Sequence, residues 1–334
     1  MEEISGPNIV GYFNNEGRKI IMMGDLHGNR MGECGGKTLS IKDYLIKFIK
    51  KVSKGTEEYD LFIEWDVPRK AELIKEKLEP IFGDDFLIDV INYMRANYKK
   101  IKNVRMHFTD IRSDPDIPEL YCNMNTYYYY FFESLKLLHH SEKFKTDINL
   151  NDIYDLMCKS QESFVWATFS FMKDILEDKK DIRKSNYHPF LSQRLMKEII
   201  KFGKHDTHNM KIMLGYVLEI LQNYLSGANW LYKNKLIIEK GEDPDKKTNM
   251  LYALYNDGID AGCAIADTYV ISRIMKSNKY KNCILYVGKT HYGILKNLLP
   301  KLGFNQTLEV SASKEKFRCT KIFDFHDFFT NKTK

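Results

Sequence analysis

The sequence predicts an α/β protein with a mostly parallel sheet core flanked by helices and a large helical insertion or cap. Short, almost uniformly apolar runs alternate with helically spaced segments near both ends of the chain. Such runs are typical of strands buried on both faces of a parallel sheet. Each run ends in a polar turn, and the middle of the chain contains no convincing strand pattern. We therefore predict an α/β core from 1–115 and 280–334, with a helical insertion or cap from 116–279 packed on it.

The first part of the predicted core alternates strand and helix. Residues 19–23 form the first predicted strand, which ends at Gly24 and is followed by a glycine-rich loop as far as Lys37. Apolar residues then repeat at helical spacing over 41–52, with Ser40 as the predicted N-cap. The later elements in chain order are a strand at 60–64, helices at about 69–82 and 84–100, and a strand at 104–108.

The sheet resumes after a helical middle. We predict helix after helix from about 118 to 280. The last elements are a strand at 282–287, a helix at 292–302, and weaker strands at 307–310 and 319–323. Parallel strands need crossover connections, so helices between the strands are expected.

Composition and charge exclude several classes of protein. Hydrophobic residues make up 43% of the 334 residues and charged residues 29%, as in an ordinary globular chain. The net charge of +6 is spread among acidic residues instead of forming a basic stripe, so we predict no nucleic-acid partner. No run approaches the ~18–20 apolar residues that a membrane span requires, so we predict no membrane span.

The cysteines and the first residues indicate a compartment. Six cysteines lie far apart with no C-x-x-C pair, which predicts neither a disulfide framework nor a cysteine-rich zinc site. The first residues lack the basic start and the apolar stretch of a signal peptide. We therefore predict a reducing, cytoplasmic location. The sequence leaves the oligomeric state open.

Reactive side chains follow every clear strand. In an open parallel sheet the carboxyl ends of the strands share one edge, where ligands bind. Residues from separate loops are therefore expected to meet there. The candidates in strand order are Asp25 and His27, Glu64 and Asp66, Asp110 and Arg112, and His291.

Two histidines and a carboxylate suit either of two hydrolytic mechanisms. His27, Glu64 and His291, with Asp25 as a further ligand, would bind a divalent metal that lowers the pKa of bound water to about 7. Alternatively, one imidazole removes a proton from water while a carboxylate fixes its tautomer. Both mechanisms predict a hydrolase that acts on a small-molecule or peptide substrate.

Other charged residues are expected to assist. Arg112 is the predicted clamp for a substrate carboxylate or phosphate, or for a developing oxyanion; the alternative is a structural ion pair with Asp110. Asp66 and Asp267 are predicted supporting carboxylates. Asp267 is included because the helix before the fourth strand runs antiparallel to that strand, and about thirteen helical residues match its length of roughly 20 Å.

The order of these motifs resembles a known superfamily. The motifs are Gly24 with His27, Glu64 at a strand end, Asp110 with Arg112, and Gly288 with His291. They resemble those of erythromycin esterases, ChaN-like proteins, TraB proteins and Tiki proteases, and leave roughly 115–260 uncovered. The resemblance implies an α/β fold with paired histidines and acidic residues in one pocket. It implies ester or peptide hydrolysis in some branches and haem binding in another, and we favour a divalent metal over haem.

Two details qualify this resemblance. Asp25 stands where many relatives carry Glu, whose side chain is one methylene longer. The segment 267–273 and the bias towards Lys, Asn, Ile and Tyr resemble proteins of large DNA viruses. A viral protein of this kind would be found in the host cytoplasm or in the virion.

Two alternative functions remain open. The run from Gly24 to Asn29 and the turn from Gly288 to His291 are similar to the first and last motifs of calcineurin-like metallophosphoesterases. That family also needs Gly-Asp-x-x-Asp and Gly-Asn-His loops, whereas 63–66 and 107–110 carry neither, so we favour the esterase and Tiki-like interpretation. The second alternative is a non-catalytic scaffold, a virion or partner-binding protein that retains the fold and binds through its helical region.

Overall fold

The predicted fold class is confirmed. The computed structural model describes residues 2–25, 34, 38–66, 86–111, 165–178, 191–241, 244–276, 281–312 and 319–331. The chain divides into two compact units, Met1–Asp110 with Val270–Lys334, and Ile111–Tyr269. The first unit contains a mostly parallel sheet with helices, and the described parts of the second unit are helical.

Strands and helices have the following bounds. The strands are β1 Glu2–Ser5, β2 Ile9–Asn15, β3 Arg18–Asp25, β4 Leu39–Ser40, β5 Tyr59–Asp66, β6 Val104–Asp110, β7 Asn282–Gly288, β8 Asn305–Ser311 and β9 Cys319–Ile322. The helices are α1 Ile41–Val52, α2 Phe86–Asn97, α3 at 165–176, α4 Gln193–His205, α5 Thr207–Gly241, α6 Pro244–Met275, α7 Lys289–Lys301 and α8 Phe325–Phe329. The predicted helix at 69–82 lies outside the described residues.

The larger sheet brings the predicted strands side by side. Its six strands have the order β6-β5-β7-β3-β2-β8. The four strands β6, β5, β7 and β3 are parallel, and β2 and β8 add antiparallel partners beyond β3. Asp25 lies opposite Gly288 in register, and Ile63 lies opposite Tyr286. The carboxyl ends of β5, β7 and β3 are therefore neighbours at one edge.

A tight hairpin that was not predicted joins β2 to β3. Asn15 pairs with Arg18, so the turn consists of Glu16 and Gly17 alone. Both residues have positive φ, 37° and 89° respectively. Two-residue hairpin turns favour this left-handed backbone because it matches the twist of the strands.

One face of the sheet packs against α1, α2 and α8. Residues at alternate positions of each strand form this core, as Tyr59, Leu61 and Ile63 do in β5. Helix α1 begins as predicted, because the Ser40 hydroxyl accepts a hydrogen bond from the Asp43 backbone N–H at 3.2 Å.

The other face packs against α7. A Cβ atom added at Gly24 would lie 2.8 Å from the Cβ atom of Tyr292, which is closer than side chains normally approach. Gly24 therefore lets α7 lie directly on β3. This close packing holds the first turn of α7 next to the carboxyl ends of the strands.

One prediction about the cysteines is wrong. Cys34 and Cys319 form a disulfide, with their Cα atoms 5.8 Å apart. They are separated by 285 residues, and spacing alone does not reveal such a pairing. The cytoplasmic location stays a prediction, and it loses the premise that all cysteines are reduced.

None of the described helices is both long and apolar enough to cross a membrane.

Candidate functional site

Glu64 lies at the carboxyl end of β5 and contacts the first turn of α7. One carboxylate oxygen, Oε1, is 3.2 Å from Nε2 of His291. The other, Oε2, accepts a hydrogen bond from the backbone N–H of Gly288. The side chains of Glu64 and His291 are 12% and 5% exposed, so the pair is largely removed from solvent.

The start of α7 determines where His291 points. Gly288 is the N-cap of this helix, and no side chain of its own caps it. The Glu64 carboxylate supplies negative charge at this helix N-terminus, where it is favourable. The Nε2 and Oε1 atoms are within ion-pair distance, but they are not aligned as a hydrogen bond. The carboxylate therefore favours a positive charge on His291 without fixing its tautomer.

Asp25 occupies the end of the neighbouring strand β3. It is 2% exposed, and its Oδ2 accepts a hydrogen bond from the Tyr286 hydroxyl at 2.9 Å. Side chains alternate along a strand, and Tyr286 belongs to the core beneath α1. Asp25 therefore points to the α1 face, whereas Glu64 and His291 meet on the α7 face. The strand ends are adjacent, and their acidic side chains diverge.

The other candidate residues are described only in part. His27 and Arg112 lie outside the described residues, as do the side chains of Asp66 and Asp110. The backbones of Asp66 and Asp110 are opposite each other in register at the ends of β5 and β6. Asp267 is a buried residue of α6 and belongs to the second unit.

Metal binding requires a donor set that this part of the site does not complete. Among the residues that the structure describes, no three His, Cys, Asp or Glu side chains are grouped to hold an ion. Glu64 and His291 contact each other directly, and Asp25 faces away from them. A metal set of the predicted kind therefore depends on His27 as a further ligand.

A second polar cluster, which was not predicted, lies along β5 and β6. The Arg105 guanidinium donates two hydrogen bonds of 2.7 Å to the two carboxylate oxygens of Asp60. His107 Nε2 lies 2.9 Å from Asp60 Oδ1, and its ring stacks on Phe62 with centroids 4.7 Å apart. Asp60 and Arg105 are directly opposite each other in register. Opposite charges at facing positions of neighbouring strands favour such a pair, so an alignment of the two predicted strands could have suggested it.

Burial and charge shift both acid–base groups of this cluster. Burial alone would raise the pKa of Asp60, but hydrogen bonds and charges from His107 and Arg105 outweigh it, and the pKa is lowered. Burial lowers the pKa of His107, with further lowering from the charges of Arg273 and Arg105, and Asp60 only partly opposes this. The cluster thus favours an ionised carboxylate beside a neutral imidazole.

Comparisons of the chain with protein-family models, with curated proteins and with solved structures found no match.

Proposed function

We propose that this protein is a hydrolase of the erythromycin esterase and Tiki-like type. In this proposal His291 activates water, and Glu64 orients His291 and balances its positive charge. The observation that carries the proposal is the buried contact of 3.2 Å between Glu64 Oε1 and His291 Nε2 at the carboxyl edge of a parallel sheet. Ligand sites in open α/β sheets lie at this edge.

His291 carries the proton in the proposed reaction. Its imidazole accepts a proton from water as the water oxygen bonds to the carbonyl carbon of an ester or peptide. The imidazolium then returns this proton to the leaving alkoxide or amine, and the neutral imidazole is restored. Nε2 stays beside the Glu64 carboxylate throughout, and this carboxylate stabilises the imidazolium when it forms.

Burial makes the Glu64 charge effective. Imidazolium forms next to a carboxylate that is only 12% exposed, and an opposite charge at this distance is worth more in a partly buried site than in water. The backbone N–H of Gly288 fixes the second carboxylate oxygen. Glu64 is therefore held in place before substrate binds, as an orienting residue must be.

The remaining predicted residues complete the proposal. Arg112 would clamp the substrate or its oxyanion, with Asp110 as its neighbour. His27 would act as a second base or, with Glu64 and His291, as a ligand of a divalent metal. The substrate class is a small ester or a peptide.

Substitution of His291 tests this function. His291→Ala removes the base, and general-base catalysis contributes about 10²–10⁴-fold, so kcat/KM should fall by that factor. His208→Ala is the matched control, because His208 is an exposed residue of α5. Both variants are assayed on a panel of p-nitrophenyl esters, peptides and phosphoesters, with the metal content measured on the same preparations.

The panel also separates the alternatives. Equal hydrolysis by His291→Ala and His208→Ala would remove the proposal. Activity confined to phosphoesters, with two metal ions bound, would instead favour the metallophosphoesterase alternative.

One observation supports the scaffold alternative. Glu64 accepts the N–H of Gly288 at the start of α7, which is also what a purely structural helix cap does. A scaffold would show no turnover on any member of the panel, and His291→Ala would change only its stability.

A further inference from the structure

The disulfide joins two segments on either side of a small sheet. This sheet has the order β4-β1-β9 and is separate from the larger one. Cys319 is the first residue of β9 and lies opposite Ser5 of β1 in register. Cys34 precedes β4 by five residues and follows Asp25 by nine. The crosslink therefore joins Cys34, five residues before β4, to the first residue of β9, which lies on the other side of β1.

The strands of the small sheet pair over few residues. Strand β4 contributes two residue pairs, with Ile4 and Ser5, and β9 contributes four. The Thr320 hydroxyl in β9 also donates a buried hydrogen bond to the Pro7 carbonyl at 2.7 Å. Such short strands have little stability of their own. The covalent bond adds to the backbone pairing and to the core packing of Ile4 and Ile322.

The crosslinked cysteines are accessible, and the other described cysteines are not. Cys34 and Cys319 are half-buried, whereas Cys263 and Cys283 are buried thiols. Burial also raises the pKa of the Cys283 thiol. Thiol–disulfide exchange needs an accessible sulfur and a thiolate. Among the cysteines that the structure describes, Cys34 and Cys319 are therefore the ones accessible to thiol–disulfide exchange.

We propose that Cys34–Cys319 is a redox-responsive crosslink, which opens and closes with the surrounding thiol–disulfide couple while the protein stays folded. Opening breaks one S–S bond in the protein and forms one in the small-molecule disulfide. Two electrons and two protons pass from two small-molecule thiols to Cys34 and Cys319. The reduced protein keeps the larger sheet and loosens β4 and β9.

Peptide mapping in glutathione buffers tests this inference. The full-length protein is equilibrated at graded ratios of reduced to oxidised glutathione, quenched with acid, alkylated and digested. The linked peptide containing Cys34 and Cys319 should dominate at oxidising ratios and disappear at reducing ones, without denaturant. Over the same series the melting temperature should fall by several °C, as loss of a stabilising crosslink requires.

Two variants serve as controls. Cys34→Ser/Cys319→Ser should melt at the temperature of the reduced wild type and show no response to glutathione. Cys263→Ser should respond as the wild type does. A bond that stays closed in the folded protein at the most reducing ratio, or that never forms at the most oxidising one, would overturn the inference. None of these readouts involves hydrolysis, so this result and the outcome of the hydrolase test are independent.

Discussion

Glu64 connects a strand end and a helix start through the two oxygens of one carboxylate. Its Oε1 contacts His291, and its Oε2 accepts the backbone N–H of Gly288. A structural cap needs only an acceptor oxygen, whereas an orienting residue for a base also needs the negative charge. Glutamine retains an acceptor and loses the charge, so it separates the two roles at this position.

We expect Glu64→Gln to change activity far more than stability. The retained oxygen should keep the change in unfolding free energy below about 1 kcal/mol, while kcat falls by about 10²-fold or more. Urea unfolding and ester hydrolysis measure the two effects. The control is Glu219→Gln, at an exposed position of α5. Unchanged kcat in Glu64→Gln would leave Glu64 as a helix cap only.

The Tyr286 hydroxyl is expected to contribute measurable stability. Tyr286 is 1% exposed and donates to Asp25, which is 2% exposed. Removing one donor to a buried carboxylate costs about 1–3 kcal/mol, so Tyr286→Phe should lower the unfolding free energy by that amount. Urea unfolding measures it, with Tyr98→Phe as the control, since Tyr98 is 65% exposed. A loss equal to that of Tyr98→Phe would show that the bond contributes nothing.

The sequence allowed part of the site to be predicted at the residue scale. Glu64 and His291 were predicted because each follows an apolar strand, and parallel strands share one edge. Tyr286 was not predicted, since it sits inside an apolar strand and resembles a core residue. The divergence of Asp25 from Glu64 depends on the register between β3, β7 and β5, which a single sequence does not reveal.

The pair β5 and β6 is joined by an ionic cluster as well as by backbone hydrogen bonds. Asp60 accepts from Arg105 and His107 of the neighbouring strand. Its pKa is lowered by these partners despite burial, and the pKa of His107 is lowered by burial. Each group therefore binds fewer protons in the folded chain than in the unfolded chain, over the pH range between its own folded and unfolded pKa values.

Acid should weaken this pair of strands in two steps. The contribution of His107 is present above the unfolded pKa of about 6.5 and is lost as the pH falls through its lower folded value. The contribution of Asp60 is lost likewise below about pH 3.8. We expect His107→Gln to lose less stability than the wild type between pH 7 and pH 5, as measured by urea midpoints. His208→Gln is the control. If the stability of His107→Gln falls with pH as steeply as that of the wild type, this account is contradicted.

At the level of elements, prediction succeeded for the buried central strands. Strands β3, β5 and β7 were predicted from their largely apolar runs, as expected for strands with neighbours on both sides. The edge strand β6 was also predicted, although its run contains Arg105 and His107. Strand β2 was missed, since Gly11 interrupts its apolar run and glycine is uncommon in strands. The structure explains this glycine: a Cβ there would lie 2.5 Å from the Tyr292 hydroxyl. The constraint comes from α7, which is distant in sequence.

For the whole molecule, the crosslink and the division into units are connected. Cys34 and Cys319 both belong to the first unit, and the second unit lies between them in the chain. Closing a loop of 285 residues reduces the entropy of the unfolded chain, which corresponds to at most about 6 kcal/mol. A second unit that stays folded inside this loop would shorten the flexible part and reduce that value only slightly, because the dependence is logarithmic.

The disulfide should therefore stabilise one unit and leave the other unchanged. The three tryptophans report separately, since Trp65 lies in the first unit and Trp166 and Trp230 in the second. In Trp166→Phe/Trp230→Phe, reduction should lower the urea midpoint by about 1 M, because a crosslink is worth about 2–4 kcal/mol and m is about 1–3 kcal/mol/M. In Trp65→Phe, the midpoint reported by the other two tryptophans should not move. Equal shifts of the urea midpoint in both variants would mean that the two units unfold together in one cooperative transition, which would contradict this prediction.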